Sequence, residues 1–344
     1  MTSTISLSQL GWQPFFQQQL SLAEFEQTSV GRVVAHHRSE YLVQTEQQRF
    51  ALPVTASLPL LTLGDWLLFD HQMQPLRLLE RKTLLRRKAA GTKVSEQYLA
   101  ANVDTLFIVC SLNLDFNLNR IERYLALVHE AGAEPVVVLT KQDLCAQAEE
   151  KRDAVQRLDP MVAVVTVNAL DPLSCEPLLR WCREGRTLSL LGSSGVGKST
   201  LLNTLMGQQV QPTAAIREDD SKGRHTTTAR SMHLMPSGGV LIDTPGMREL
   251  QLVDCEQGLS RVFADIDALA KQCRFRDCQH GSEPGCAVRH ALETGQLDGR
   301  HLANYFKLLK EQSRNSASLQ ELRARDRAFG KMVRSVLTGH KYRD

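Results

Sequence analysis

Five runs of almost unbroken apolar residues, 103–111, 135–139, 162–167, 187–191 and 240–242, stand out along the middle of the chain. Runs this short, apolar at nearly every position, predict strands covered on both faces, as in a parallel sheet flanked by helices. The last four give way at once to polar loops: Thr140-Lys-Gln-Asp143, Asn168-Ala169, Gly192 to Ser199, and Asp243-Thr-Pro-Gly246. A doubly wound sheet collects such loops at the carboxyl ends of its strands, the edge where ligands bind.

Segment 30–79 has a different rhythm. VGRVVAHH, EYLVQT, RFALPV and GDWLLFD alternate and are separated by turns, which predicts five or so short strands in a small barrel. Upstream, residues 1–28 carry Leu7, Leu10, Trp12, Phe15, Phe16, Leu20, Leu22 and Phe25, a spacing that suits a helical appendage. Downstream, 302–309 reads as an amphipathic helix. These patterns divide the chain into a helical extension (1–29), a barrel (30–80), a basic linker (81–98), an α/β domain (99–256) and a C-terminal domain (257–344). With 344 residues and 42% hydrophobic content, each of three domains can bury a core.

Residues 192–199 read GSSGVGKS and match G-x-x-x-x-G-K-[ST], with a predicted strand before them and an apolar helical stretch, 199–206, after them. Gly192, Gly195 and Gly197 let the backbone curl, so that the N–H groups of the Ser193-Ser194-Gly195-Val196 loop and of the helix start at Thr200 face phosphate oxygens. Lys198 would sit on the β and γ phosphates, and the Ser199 hydroxyl would ligate Mg²⁺. An accidental glycine-rich turn is the plain alternative, and the flanking strand and helix argue against it.

A phosphate loop does not choose a base. Asp143 does: its carboxylate can accept both N–H donors on the edge of guanine, whereas adenine offers no such pair. Lys141 would lie along base and ribose, with Gln142 between the two. The usual motif opens with Asn; Thr140 has a shorter reach and is expected to lower affinity without changing base choice. Asn168-Ala169 stands where GTPases usually carry Ser-Ala, with a backbone N–H directed at the guanine oxygen; an ordinary strand-to-loop junction explains it equally well. Asp243 to Gly246 forms D-x-x-G, placing a carboxylate near the Mg²⁺ shell and a glycine N–H on the γ-phosphate. A β-turn is its plain reading. Between phosphate loop and D-x-x-G, Gly223-Arg-His-Thr-Thr-Thr228 reads as a switch loop in which Thr227 would complete the metal shell. The expected ligands are GTP or GDP with Mg²⁺.

Base recognition here precedes the phosphate loop, the reverse of ordinary GTPases. All these loops leave carboxyl ends of strands, so the site survives if old termini are joined and the chain is opened elsewhere. The order predicts a circularly permuted GTPase.

Of eight cysteines, Cys110, Cys145, Cys175, Cys182 and Cys255 are scattered. The others form Cys273-x4-Cys278-x-His280-x5-Cys286, three thiolates and an imidazole that can close a tetrahedron around structural zinc with no open position. A disulfide is the alternative. No signal peptide and no apolar run long enough for a bilayer are evident, so a reducing cytoplasm, which disfavours disulfides, is expected. The chain's net charge is +3, yet 300–344 alone holds eleven Lys and Arg against four Asp and Glu, a net +7. A zinc knuckle beside such a tail suits RNA phosphates; a solvated helical face is the bland reading. With RNA in view, an OB-fold is the natural form of the barrel, and a generic β module the alternative.

Barrel, permuted GTPase with GSSGVGKS, GRHTTT and DTPG, and the C-x4-C-x-H-x5-C site, in that order, resemble the ribosome small-subunit-dependent GTPases of bacteria, the RsgA or YjeQ family, over about 30–310. The resemblance implies a multidomain protein: an N-terminal OB-fold β-barrel, a central circularly permuted P-loop α/β GTPase domain and a C-terminal, mostly helical zinc-binding domain. It further implies a late-acting assembly factor that binds the small ribosomal subunit and its rRNA, with slow GTP hydrolysis stimulated by that subunit. Departures are Thr140, Asn168 and the N-terminal extension. Most GTPases orient the attacking water with a Gln after D-x-x-G; Met247 cannot, so His225 of the switch loop is expected to do so once RNA orders that loop, contact with phosphate or RNA being its alternative. A nucleotide-gated rRNA scaffold with incidental hydrolysis is the rival function. A small-molecule kinase leaves TKQD, the permuted order and the cysteines unexplained. A monomer is expected, since nothing in the pattern demands a dimer.

Overall fold

The computed structural model describes residues 4–37, 39–88, 96–113, 115–210, 230–243, 252, 254–281 and 283–316. The N-terminal segment holds two short helices, α1 (Pro14–Gln17), opened by a proline, and α2 (Leu22–Gln27), opened by a capping box in which Ser21 and Glu24 exchange hydrogen bonds. The expected helical appendage is therefore mostly irregular, because its apolar residues serve a neighbour instead of a helix face. Leu10 and Phe16 are buried with Trp66, Leu68 and Leu79 of the barrel segment. Each such side chain contributes about 1.5–3 kcal/mol on burial.

Five strands follow: β1 (Ser29–His36), β2 (Glu40–Gln44), β3 (Arg49–Pro53), β4 (Trp66–Phe69) and β5 (Pro75–Leu78). They are antiparallel in the order β3-β2-β1-β4-β5. Among the described residues β3 and β5 do not pair, so the unit is open along that edge. The stretch expected as a basic linker forms instead a hairpin, β6 (Leu84–Lys88) with β7 (Glu96–Ala101). Leu85 and Leu99 anchor it in the core of the next domain, which overrides the charge of Arg86 and Arg87 as a reason to stay in solvent.

The α/β domain supplies β8 (Thr105–Ser111), α3 (Leu118–Glu130), β9 (Glu134–Thr140), α4 (Ala148–Gln156), β10 (Ala163–Thr166), α5 (Pro172–Cys175), β11 (Thr187–Leu191), α6 (Lys198–Met206), β12 (Arg230–Leu234) and β13 (Val240–Asp243). Strands run β10-β9-β8-β11-β13 in parallel, with β12 antiparallel at the end. Strand β8 shows why its run lacked alternation: Leu106, Ile108 and Cys110 enter one core, Phe107 and Val109 the core on the opposite face. Residues 35–36 of β1 pair with β12, so the barrel strands and the parallel sheet join into one sheet of eleven strands.

Arg32 of β1 rivets the joint. Fully buried, it donates to Gly64 O (3.2 Å), Thr187 Oγ1 (2.9 Å), Asn102 O (3.1 Å) and the Leu10 carbonyl, and it lies 5.1 Å from the Trp66 ring. Burial pushes it down to about 10, with Asp104 and Asp65 opposing, so it stays charged near neutrality.

Four more helices complete the described chain: α7 (Glu256–Val262), α8 (Ala264–Ala270), α9 (Ala287–Glu293) and α10 (Gly299–Ser316). Phe263, Ile266, Val288 and Leu302 share one core with Ile121, Leu125 and Val128 of α3. A buried polar clasp reinforces the contact: Glu122 of α3 accepts from Arg300 Nη2 (2.7 Å) and faces His301 Nδ1 at 2.8 Å, while His301 Nε2 faces Asp265 at 3.2 Å. Burial opposes charge on His301, but hydrogen bonds to Asp265 and Glu122 outweigh it and raise the imidazole to about 9.

Candidate functional site

The crevice forms where neighbouring strands leave the sheet on opposite helical routes: chain order runs outward from β8 through β9 to β10, then returns to β11. At the end of β11 the phosphate loop turns at Gly192, φ 153°, where an added Cβ would lie 2.2 Å from Val109 O of β8. Only glycine fits. Gly197, φ 95°, is the left-handed residue that opens α6. Lys198 Nζ folds back over the loop, donating to Gly192 O at 2.7 Å and to the Ser193 carbonyl. It thereby stands where a phosphate oxygen could replace those carbonyls as acceptor.

The loop expected to read the base and the phosphate loop meet directly. Thr140, the last residue of β9 and fully buried, donates through Oγ1 to Val196 O at 2.6 Å. Lys141, held at φ 60°, sends Nζ to Gly195 O at 3.1 Å, and Gln142 and Asp143 follow in a single 3₁₀ turn. Strand β9 brings the Thr140 hydroxyl directly against the phosphate loop. The β10 loop is pinned as well. Asn168 N donates to Ser174 Oγ (2.8 Å), its Oδ1 accepts from Leu170 N (3.0 Å), and Ala169 O accepts from Thr204 Oγ1 of α6 (2.6 Å). Asp143, Asn168, Ala169 and the loop Gly192 to Thr200 therefore sit on one connected frame at one end of the sheet.

Asp243 ends β13, beside β11, where Ser189 Oγ donates to Ile242 O at 2.8 Å. His225, Thr227, Gly246 and Met247 lie outside the described residues. Arg120 is a residue that the motifs do not reveal. From the first turn of α3, capped by Asn117, it donates to Ser193 Oγ at 2.7 Å and pairs with Asp115. Nothing in its sequence context marks it, because the partner is 73 positions away.

A second site lies between α8 and α9. Cys273, Cys278, His280 and Cys286 bring one donor atom each to within 4.8 Å of one another. Cys273 Sγ and Cys286 Sγ are 3.9 Å apart, and each lies 3.6 and 3.5 Å, respectively, from His280 Nδ1. Tetrahedral edges around an ion held at 2.0–2.3 Å come to about 3.5–3.8 Å, so the set fits a four-coordinate ion. The eight cysteines are all free thiols, so the disulfide alternative is not realised. No helix among the described residues is long and apolar enough to cross a membrane.

Comparison with known proteins agrees with this geometry. A family model described as RsgA GTPase matches residues 78–253. The small ribosomal subunit biogenesis GTPase RsgA 2 of Vibrio parahaemolyticus is 60% identical over 98% of this chain and 94% of its own length. The crystal structure of YjeQ from Thermotoga maritima superposes with a TM-score of 0.61 at 26% identity, covering 83% of this chain and 98% of that one. YloQ, a circularly permuted GTPase, shares the fold with a TM-score of 0.58 at 22% identity, over 85% and 97% of the two chains. Permuted strand order, phosphate loop and GTP hydrolysis thus have a common source: the chain belongs to the RsgA GTPase family.

Proposed function

We propose that this GTPase binds the small ribosomal subunit and assists its late maturation, hydrolysing GTP to GDP and phosphate faster when the subunit is bound. The observation that carries the nucleotide half is the 2.6 Å bond from Thr140 to Val196, which locks guanine-recognition and phosphate loops into one frame. The ribosomal half rests on the relatives' names together with charge and exposed aromatic surface. Beside the metal cluster, Arg274 lies over the ring of the partly exposed Phe275, and the basic tail follows. Such surfaces suit RNA phosphates and unstacked bases.

In this reading the cluster holds zinc, Ser199 and Thr227 hold Mg²⁺ with Asp243 near its shell, and β1–β5 serve as an OB-fold whose order β3-β2-β1-β4-β5 supports the assignment. Bound Mg²⁺ would neutralise charge on the β and γ phosphates. His225 orients the attacking water once rRNA orders its loop, and the protein acts as a cytoplasmic monomer. The test is phosphate release from GTP with and without purified small subunits, alongside sedimentation with GDP or a non-hydrolysable analogue. Hydrolysis unchanged by bound subunits would favour a nucleotide-gated scaffold.

A further inference from the structure

We infer that Arg120 is a positioning residue for the GTPase reaction, holding the phosphate loop through Ser193 once phosphate has drawn Lys198 away from it. Most of the loop is tied independently of nucleotide. Thr140 donates to the Val196 carbonyl, Lys141 donates to the Gly195 carbonyl, and Gly192 lies against Val109 of β8. The Ser193 corner is different. Lys198 Nζ donates to its carbonyl and to that of Gly192, so a phosphate that captures Lys198 removes a tie from the loop. Among the described residues, the side-chain bond then left on Ser193 is the one from Arg120 Nη1 to its Oγ, 2.7 Å long.

Both the guanidinium and the helix that carries it are fixed in place. Ser111, the last residue of β8, donates to Asn113 Oδ1 (2.7 Å), which also accepts from Asp115 N (3.1 Å), and Asp115 Oδ1 in turn accepts from Arg120 Nη1. Nη1 carries two hydrogens, so with one on Asp115 the other lies on Ser193. The first turn of α3 is gripped as well. Asn117 caps it, Asn119 Oδ1 accepts from Arg300 Nη1 of α10 at 2.6 Å, and Arg123 Nη2 donates to Glu311 Oε1 of α10 at 2.7 Å. An ion pair like that of Arg120 and Asp115, with side chains 34% and 30% exposed, contributes little to folding. Its value is to aim Nη1 at the loop.

A tie on the loop, and not on the reacting phosphate, stabilises bound GDP, bound GTP and the transition state alike. Such uniform binding lowers KM and leaves kcat unchanged. Losing a hydrogen bond from a charged donor at this partly exposed place weakens nucleotide binding about fivefold or more. The role rests on Lys198 as the phosphate's ligand, which Lys198→Ala checks separately. That variant should lose GDP binding whatever Arg120 does, and normal GDP binding by it would overturn the premise and the role of Arg120 together.

The test is a double-mutant cycle in the full chain with Arg120→Gln, Ser193→Ala and the two combined, read by GDP titration, steady-state GTP hydrolysis and urea unfolding. Each single variant should raise the Kd for GDP and the KM for GTP about fivefold or more, with kcat within about threefold of the parent. The combined variant should be no worse than either alone, within about twofold, because both changes break one bond. Should Arg120→Gln unfold early in urea, Ser193→Ala decides by itself, since it breaks the bond from the loop's end and leaves α3 whole. The role is overturned if the two losses multiply in the combined variant or if KM stays at the parent's value. It is equally overturned if kcat falls about tenfold, which would place the guanidinium on the reacting phosphate.

Discussion

Thr140→Val removes one hydroxyl and almost no volume, and it tests whether the two halves of the nucleotide site depend on each other. Thr140 is fully buried, and its Oγ1 donates to Val196 O at 2.6 Å. The valine leaves that carbonyl without its donor in a place water does not reach. Orphaning a buried acceptor costs about 1–3 kcal/mol. If the phosphate loop keeps its shape only through this strap, the whole cost falls on nucleotide binding. At 1.4 kcal/mol per tenfold, GDP then binds about 5- to 150-fold more weakly. If the loop keeps its shape regardless, the cost appears in folding instead. Thr140→Ser keeps the hydroxyl and should stay within about threefold of the parent. Titration with a fluorescent GDP analogue and urea unfolding, performed on the same samples, separate the two destinations. Affinity within twofold of the parent, together with an unchanged unfolding midpoint, would refute the strap.

His301 gives a pH prediction of definite sign. Its folded value, raised from 6.5 to about 9, means stability is fully present below 6.5 and is lost as pH rises through 9. At 1.36 kcal/mol per unit the contribution is about 3 kcal/mol; His301→Gln should abolish that part of the slope in urea midpoints between pH 6.5 and 10, and an unaltered slope would refute it. Arg32→Met deprives the Leu10 and Asn102 carbonyls of their buried donor; a loss of about 3 kcal/mol or more in urea unfolding is expected, and a loss below about 1 kcal/mol would show that the rivet is dispensable. A strong zinc chelator should remove one ion per chain and lower the melting temperature by more than about 5 °C while GDP affinity changes less than threefold; mass spectrometry finding no metal in the purified protein would exclude the ion.

The motifs were legible because each is local. GSSGVGKS shapes its own loop, since glycines at Gly192 and Gly197 meet steric demands of the immediate backbone, and Cys273 to Cys286 carry all four metal donors within one short segment. Apolar runs likewise announced β8, β9, β10, β11 and β13, because strands flanked by helices on both faces are apolar at most positions; the few polar ones, such as Ser189 and Thr140, are buried on hydrogen bonds to neighbouring backbone. The hairpin at 84–101 was not legible, since its charged strand is held by Leu85 and Leu99 against residues far along the chain.

The sequence by itself therefore determined which chemical groups exist and in what order: a TKQD motif, a phosphate-loop motif, a Cys/His cluster and a basic tail. Only the tertiary structure decided how they are coupled. Thr140 meets Val196 across 56 positions, Arg120 meets Ser193 across 73, and His301 meets Glu122 across 179. Such bonds depend on where strands and helices stack, and stacking is set by the summed burial of the whole core, which no local pattern encodes.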